Sequence, residues 1–461
     1  MEENQQVTAR ENIMGTMNIN PLLVKLSVPM MVSMLVQALY NVVDSIFVSH
    51  VSESALTAVS LAFSLQNVMI AVGVGTGVGV NALLSKSLGE KNQERANTTA
   101  ENGIFLALCS YVIFFVIGLT CMKPYFYAQT SDPDIALQGI RYLRVCSVFS
   151  LGLFLQTMGE KLLAATGRTN LSMTSQLIGA VVNIVLDPIF IFGYCGEALS
   201  GTTGAAVATV IGQIVAFLLA MVCHFRKNPE VRLSRKGMRL HRSVMKSILA
   251  VGVPSIIMVA IGSVMNFTMN QILIGFTSTA VAVFGAYFKL QSFIFMPIFG
   301  LNNAMVSIVA YNYGARKPDR IRKAVLFSCL AAFLFMLCGF AVFQLMPEVL
   351  LSMFDPTAEF LAIGCKALQT ISWAFPIAGF CVVLSSVFQA LGTGLYATIV
   401  SLARQLLVLL PVAYLLSLSG RLELVWWSFP IAEMASITVT ALLLLRIYRQ
   451  KLRPILEEQR A

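Results

Sequence analysis

Two aspartates stand where charge is costly. Asp44 and Asp187 each fall inside a long apolar stretch, and each has polar company at helical spacing. Gln37, Tyr40, Asn41 and Asp44 follow i, i+3, i+4, i+7 and so share one helix face. Asn183 precedes Asp187 by one turn, and Gln176 lies two turns before Asn183. Pro188 directly follows Asp187, and a proline removes a backbone donor and frees a carbonyl in the preceding turn, around Asn183. Two carboxylates with amide and phenol oxygens make a small hard-oxygen site, suited to a proton or to sodium. Burial and a second nearby carboxylate both penalise the charged form, so either acid can take up a proton near neutral pH.

Three further ionisable residues lie at depth: Lys289, Arg404 and Glu433. Arg404 opens an Arg-Gln pair and reads as structural hydrogen bonding among the last helices. Glu433 reads as structural too; it follows Trp426 and Trp427, which look like interfacial anchors. Lys289, between Phe288 and Leu290, is open to three roles: lining a cavity, snorkelling, or pairing with an acid. His50, His224 and His241 all fall in loops or at the ends of apolar stretches. No nucleophile, base or metal-ligand set therefore stands at depth, so the reading is of a non-enzyme without cofactor.

The elements that must hold these residues are membrane spans. Apolar residues make up 57% of the 461 and charged ones 12%, against roughly 25% charged in a soluble domain. Twelve stretches are long enough to cross a bilayer, near 22–49, 56–84, 98–122, 135–158, 170–194, 204–225, 248–276, 281–311, 324–346, 361–388, 396–418 and 426–448. The first twenty residues are polar, so no cleavable signal peptide is expected. The nine cysteines fall almost all within apolar stretches without a CxxC pair, and read as buried inert thiols.

The chain also repeats itself. Residues 24–95 moved forward by 225 positions fall without a gap on 249–320: Pro29 on Pro254, Asn41 on Asn266, Gly75 on Gly300, Gly89 on Gly314. The offset returns with Gly139 and Gly364, Ser147 and Ser372, Gly167 and Gly392, while Asp132-Pro133 matches Asp355-Pro356 at a spacing shorter by two. Such a period in a membrane chain marks a transporter of two halves. Six spans per half return the chain to its starting side, so both halves insert alike, related by an axis along the membrane normal. The expected fold is an all-α polytopic membrane protein: twelve transmembrane helices in two pseudo-twofold-related six-helix bundles. Residues 1–225 form the first lobe, 226–246 a basic linker and 247–461 the second lobe. Under the offset Asp44 faces Met269, Asn183 faces Val408 and Asp187 faces Val412, so the second half lacks the carboxylates.

Basic residues fix orientation. The side holding both termini carries 25 Lys and Arg against five on the other, so that side is cytoplasmic. The net charge of +10 is thereby topological, and nothing resembles a nucleic-acid-binding domain. The seventh and eighth spans are rich in Met and Phe, interrupted by Asn266, Gln271, Gln291, Asn302 and Asn303. With Asn41 and Met269, residues Asn266, Gln271, Gln291 and Asn303 make a candidate cavity for flat, cationic, greasy molecules.

Tyr40-Asn41-Val42-Val43-Asp44, Asn183-Ile184-Val185-Leu186-Asp187-Pro188, the basic loops after Gly89 and Gly314, and Arg404-Gln405 together resemble the multidrug and toxic compound extrusion (MATE) family of the MOP superfamily. The likeness spans the chain and is closest to the DinF-like and MepA-like bacterial branch, because acids expected in the seventh and tenth spans of the NorM branch are missing. It implies export of organic cations and drugs in exchange for protons or sodium, by a monomer in the bacterial cytoplasmic membrane. It also implies that Asp44, Asn183 and Asp187 bind the coupling cation, with Tyr40 and a Thr of the sixth span, best matched by Thr209, nearby. A lipid-linked precursor flippase of the same superfamily is the alternative; it calls for a more cationic cavity, which only Lys289 and Arg404 supply.

Overall fold

The computed structural model describes residues 12–460 apart from 195, 197–199, 234–239 and 355–356. The repeat pair Asp355-Pro356 and the middle of the basic linker thus lie outside the described residues. Among those described, eleven helices are long and apolar enough to cross a membrane. The first lobe has its first span at Ile19–Ser49, second at Glu53–Gly89, third at Gln93–Thr120, fifth at Thr169–Ile191 and sixth at Gly201–Lys227. The second lobe follows with the seventh at Arg242–Ile274, eighth at Ser278–Gly314 and ninth at Pro318–Leu345.

The fourth of the twelve expected spans is broken. It runs as Pro133–Val148 and Leu151–Ala165, 16 and 15 residues, each short of the roughly 20 that a bilayer needs. At the break the Ser150 hydroxyl donates to the Ser147 carbonyl at 2.7 Å, a local side-chain bond that competes with the helix ladder. The tenth span repeats the device one period later. There Ala358–Ile371 passes through a 3₁₀ turn at Ser372–Ala374 into Phe375–Ala390, and Ser147 and Ser372 are repeat mates.

Other local structure obeys the same offset. Ser52 and Thr277 cap the second and eighth spans with their hydroxyls. Lys91 and Arg316 both take the left-handed conformation at φ 56° and 54°, as do Gly167 and Gly392 at 79° and 74°. The eleventh span, Gly394–Leu402 and Leu410–Ser417, is joined by a π-helical stretch at Ala403–Leu409; the twelfth is Ser428–Ile447.

The lobes interlock on the side that holds both termini. Leu22, Leu23 and Leu26 of the first span pack in the second lobe's core, while Val244 and Ile248 of the seventh pack in the first lobe's. Glycines let the backbones meet: a Cβ at Gly89 would lie 2.0 Å from the Tyr311 carbonyl oxygen, and one at Gly314 2.1 Å from that of Lys86. Lys86 and Tyr311 are themselves repeat mates, so the two contacts are one contact related by the molecular axis. At the opposite face the first lobe's core, with Val48, Ala55, Ala62 and Phe126, contains no second-lobe residue. The apolar packing between the lobes is thus gathered on the side of the termini.

A short helix, Ile13–Thr16, staples the closed side. The Asn12 amide donates to the Thr166 carbonyl at 3.1 Å and to the Glu230 carboxylate. Asn312 and Arg320 donate to the Met14 carbonyl at 3.1 and 3.0 Å, Arg320 to Met17 at 2.7 Å, and Lys317 to Gly15 at 3.0 Å. Burial raises the Glu230 carboxyl above its ordinary value, against the lowering effects of Asn12 and Arg168.

Of the eight described cysteines, all free, only Cys146 and Cys381 are buried; Cys121 and Cys338 are exposed, which corrects the reading of uniformly buried thiols. Trp426 is also not an interfacial anchor. It is 1% exposed and stacks on Phe284 at 6.3 Å, leaving Trp427, 45% exposed, in that place.

Candidate functional site in the first lobe

Three elements assemble the polar cluster. The first span brings Gln37, Tyr40 and Asp44, the fifth Gln176, Asn183 and Asp187, and the sixth Thr209. The fifth and sixth spans pack closely because Gly179 and Gly212 face one another: a Cβ on either would lie 2.8 or 2.7 Å from the other's carbonyl oxygen. That approach sets Asn183 between two partners. Its amide donates to Asp187 Oδ1 at 3.1 Å and to Thr209 Oγ1 at 3.4 Å. Gln176 donates to Gln37 Oε1 at 3.3 Å, tying the fifth span to the first.

Asp187, Asn183 and Thr209 are buried. Asp187 lies within electrostatic reach of Asp44, and Tyr40 within reach of Asp44, Glu160 and Asp187. Pro188 lies inside the unbroken fifth helix and cannot donate to the carbonyl one turn back, that of Ile184. Asp44 Oδ1, Asp187 Oδ2 and Asn183 Oδ1 are all buried and without a hydrogen-bond partner. All three are acceptors. Buried acceptors are rarely left so, and a proton or a small hard cation is what such a set lacks.

The broken fourth span adds two ionisable residues that the sequence reading placed in a loop. The helix continues to Ala165, so Glu160 and Lys161 sit within it. Gln156 donates to Glu160 at 2.9 Å, and Lys161, 6% exposed, donates to Asn303 Oδ1 of the second lobe at 2.7 Å. The latter bond crosses between lobes.

The candidate cavity residues scatter. Asn41 and Gln271 are exposed, Asn303 is taken by Lys161, and Asn266 and Gln291 each have a buried carbonyl oxygen without a partner. Met269 is fully buried in the second lobe's core, packed among apolar neighbours instead of lining an open space. Lys289 is exposed with its ammonium 6.0 Å over the Phe354 ring. Arg404 and Glu433 form an ion pair at 2.9 Å, as the structural reading expects.

The MatE family model matches residues 29–189 and again residues 254–415. The chain belongs to the MatE family. Its two matched stretches begin 225 residues apart, the same offset that relates Pro29 to Pro254. Among relatives of this MatE protein, the multidrug export protein MepA of Staphylococcus haemolyticus is 27% identical over 411 residues, covering 88% of this chain and 89% of the relative. The probable multidrug resistance protein YoeA of Bacillus subtilis is 26% identical over 416 residues, 89% of this chain and 90% of that one. An outward-facing MATE transporter of the MOP superfamily superimposes with a TM-score of 0.88 at 28% identity, covering 95% of this chain and 96% of that one. A MOP superfamily transporter from Pyrococcus furiosus gives 0.87 at 28%, over 92% and 95%. The protein is thus an all-helical, multi-pass membrane transporter of the bacterial MATE branch.

Proposed function

We propose that this MatE protein is a proton- or sodium-coupled antiporter that exports organic cations by rocking its two lobes. The observation that carries the coupling is the set of three buried, unpartnered acceptor oxygens on Asp44, Asn183 and Asp187. Such a set is stabilised by a cation and destabilised without one, so its occupancy can be linked to which face is open. The substrate class follows the relatives, which are named for multidrug export and resistance. Flipping a lipid-linked anion has less support, because Lys161 is engaged by Asn303 and Lys289 lies over Phe354.

The test is ethidium efflux from proteoliposomes under an imposed proton gradient and, separately, an imposed sodium gradient. One gradient should drive export against the drug's own gradient; export that ignores both overturns the reading.

The side holding the termini is cytoplasmic in this reading, so the side on which the lobes interlock faces the cytoplasm. A cysteine placed at Leu240, in a background with every native cysteine replaced by serine, should resist an impermeant thiol reagent in intact cells and react in inverted vesicles. Labelling from outside would reverse the topology. Position 235, at the centre of the linker, lies outside the described residues.

The unpartnered carbonyl oxygen of Gln291 makes it the eighth-span residue to test for drug selectivity. Gln291→Ala should change efflux unevenly, several-fold for some cationic drugs and little for others, as expected when one contact of about 1–2 kcal/mol is lost. An equal fall for every drug would instead report a folding defect.

A further inference from the structure

The second lobe holds a buried charge pair about one turn from the positions equivalent to the first lobe's acceptor set. In the first lobe the bridge between the fifth and sixth spans is Asn183 to Thr209, beside Asp187. One period on, the bridge between the eleventh and twelfth spans is Arg404 to Glu433. Glu433 is the repeat mate of Ala208, next to Thr209, and Arg404 that of Gly179, one turn before Asn183. The mates of Asn183 and Asp187 themselves are Val408 and Val412.

The backbone is altered to admit this arginine. Gly179 leaves no room for a side chain, since a Cβ there would lie 2.7 Å from that of Ala216. Its counterpart position in the second lobe carries a full guanidinium, and there the helix opens into the π-helical stretch Ala403–Leu409. A π-bulge inserts an extra residue into the turn and commonly marks a site with a function beyond packing.

The surroundings are polar and dry. Glu433 is 7% exposed; Ser428, Ser436 and Thr440 on its helix are fully buried. Glu433 Oε2 and the Ser436 hydroxyl lie against the Cys381 thiol and have no nitrogen or oxygen partner. The titratable and charged groups that face Glu433 are Arg404 from the eleventh span, Cys381 from the tenth and Tyr287 from the eighth. Of these only Arg404 brings positive charge.

We propose that Arg404 is a resident cation: tethered in the second lobe beside Glu433, it stands in for the exchangeable proton or sodium of the first. The second lobe then carries a latent cation site, built from Glu433 with the Ser436 hydroxyl one turn along the same helix, whose occupant cannot leave. Cation exchange is confined to the first lobe for that reason, and not because the second lacks an acid. The comparison between lobes rests on the coupling role proposed for Asp44 and Asp187. The test is therefore run in an Asp44→Asn/Asp187→Asn background, where failure of that role cannot alter the result.

In that background Arg404→Met leaves Glu433 without its counter-charge. Thermal unfolding of the full chain in detergent should then become cation-dependent. The melting temperature should rise on acidification, or on replacing potassium by sodium at constant ionic strength, by on the order of 3 °C. The parent should show a clearly smaller rise on acidification and none with sodium, and adding Glu433→Gln to Arg404→Met should return the response to the parent's. Should Arg404→Met be too unstable to purify at alkaline pH, recovery by acid or by Glu433→Gln supports the proposal equally, because removing both charges of a buried pair is far less costly than removing one. Three results overturn it: an Arg404→Met protein that responds to cations like its parent, a response that survives Glu433→Gln, or a double variant as damaged as Arg404→Met alone.

Discussion

Asp44→Asn protein, reconstituted in liposomes, is expected to lose at least about tenfold in gradient-driven drug export while still inserting and binding drug, a coupling energy in the usual range of 1–3 kcal/mol. Asparagine keeps the shape of the side chain and removes the negative charge. Asp44 Oδ1 is one of three buried acceptors left without a donor, so the substitution converts a cation-seeking set into one that is closer to satisfied when empty. Occupancy then no longer differs enough between the two facing states to drive the transition. Asp187→Asn should behave alike, with an added loss of order, because Asp187 Oδ1 also accepts from Asn183. The repeat supplies the control. Val412 stands where Asp187 would be in the second lobe, and Val412→Ile should leave coupling intact. Wild-type export by both asparagine variants would sink the proposed site, and Glu160, which acts electrostatically on Tyr40, is then the next acid to test.

A valine at Gly89 or at Gly314 is expected to push the protein out of the conformation seen here. The added Cβ would fall 2.0 or 2.1 Å from a backbone oxygen of the other lobe, and backbone cannot move aside as a flexible side chain can. Overpacking of this kind costs about 1–3 kcal/mol, enough to shift a balanced equilibrium roughly 5- to 150-fold toward states with the lobes apart on that side. Spin labels on the second and eighth spans should report longer distances near Glu90 and Ala315. The two substitutions probe one contact from its two symmetry-related sides, so their effects should match; an unchanged distance distribution in both would mean that this crossing does not gate the closed side.

Much of this was legible before the coordinates. Asn183 and Asp187 are one turn apart, and that spacing alone puts an amide beside a carboxylate. Thr209 could be placed only by likeness to a family, yet it falls within 3.4 Å of Asn183. The apolar pattern ends the fourth span at 158, short of Ala165, because Glu160 and Lys161 look like helix-end charges. The repeat signals otherwise: the apolar pattern of the tenth span reaches 388, whose repeat mate is 163, beyond both residues. The bond from Lys161 to Asn303 was not legible, since it depends on how closely two lobes approach. Trp426 was misjudged because an indole beside another at a span end looks interfacial, whereas only its neighbour is exposed and Trp426 itself stacks on Phe284. Arg404 and Glu433 read as structural from sequence, but the π-helical turn that brings them together has no periodic signature.

The staple formed by Asn12 to Met17 bears on how the molecule is made. Its partners are Thr166 and Glu230 on one side and Asn312, Lys317 and Arg320 on the other. None of the second group exists until more than half the chain has left the ribosome, and none is in place until the eighth span has been inserted. The residues synthesised among the first are therefore among the last to find their seats, and their docking reports that both lobes have been completed and brought together.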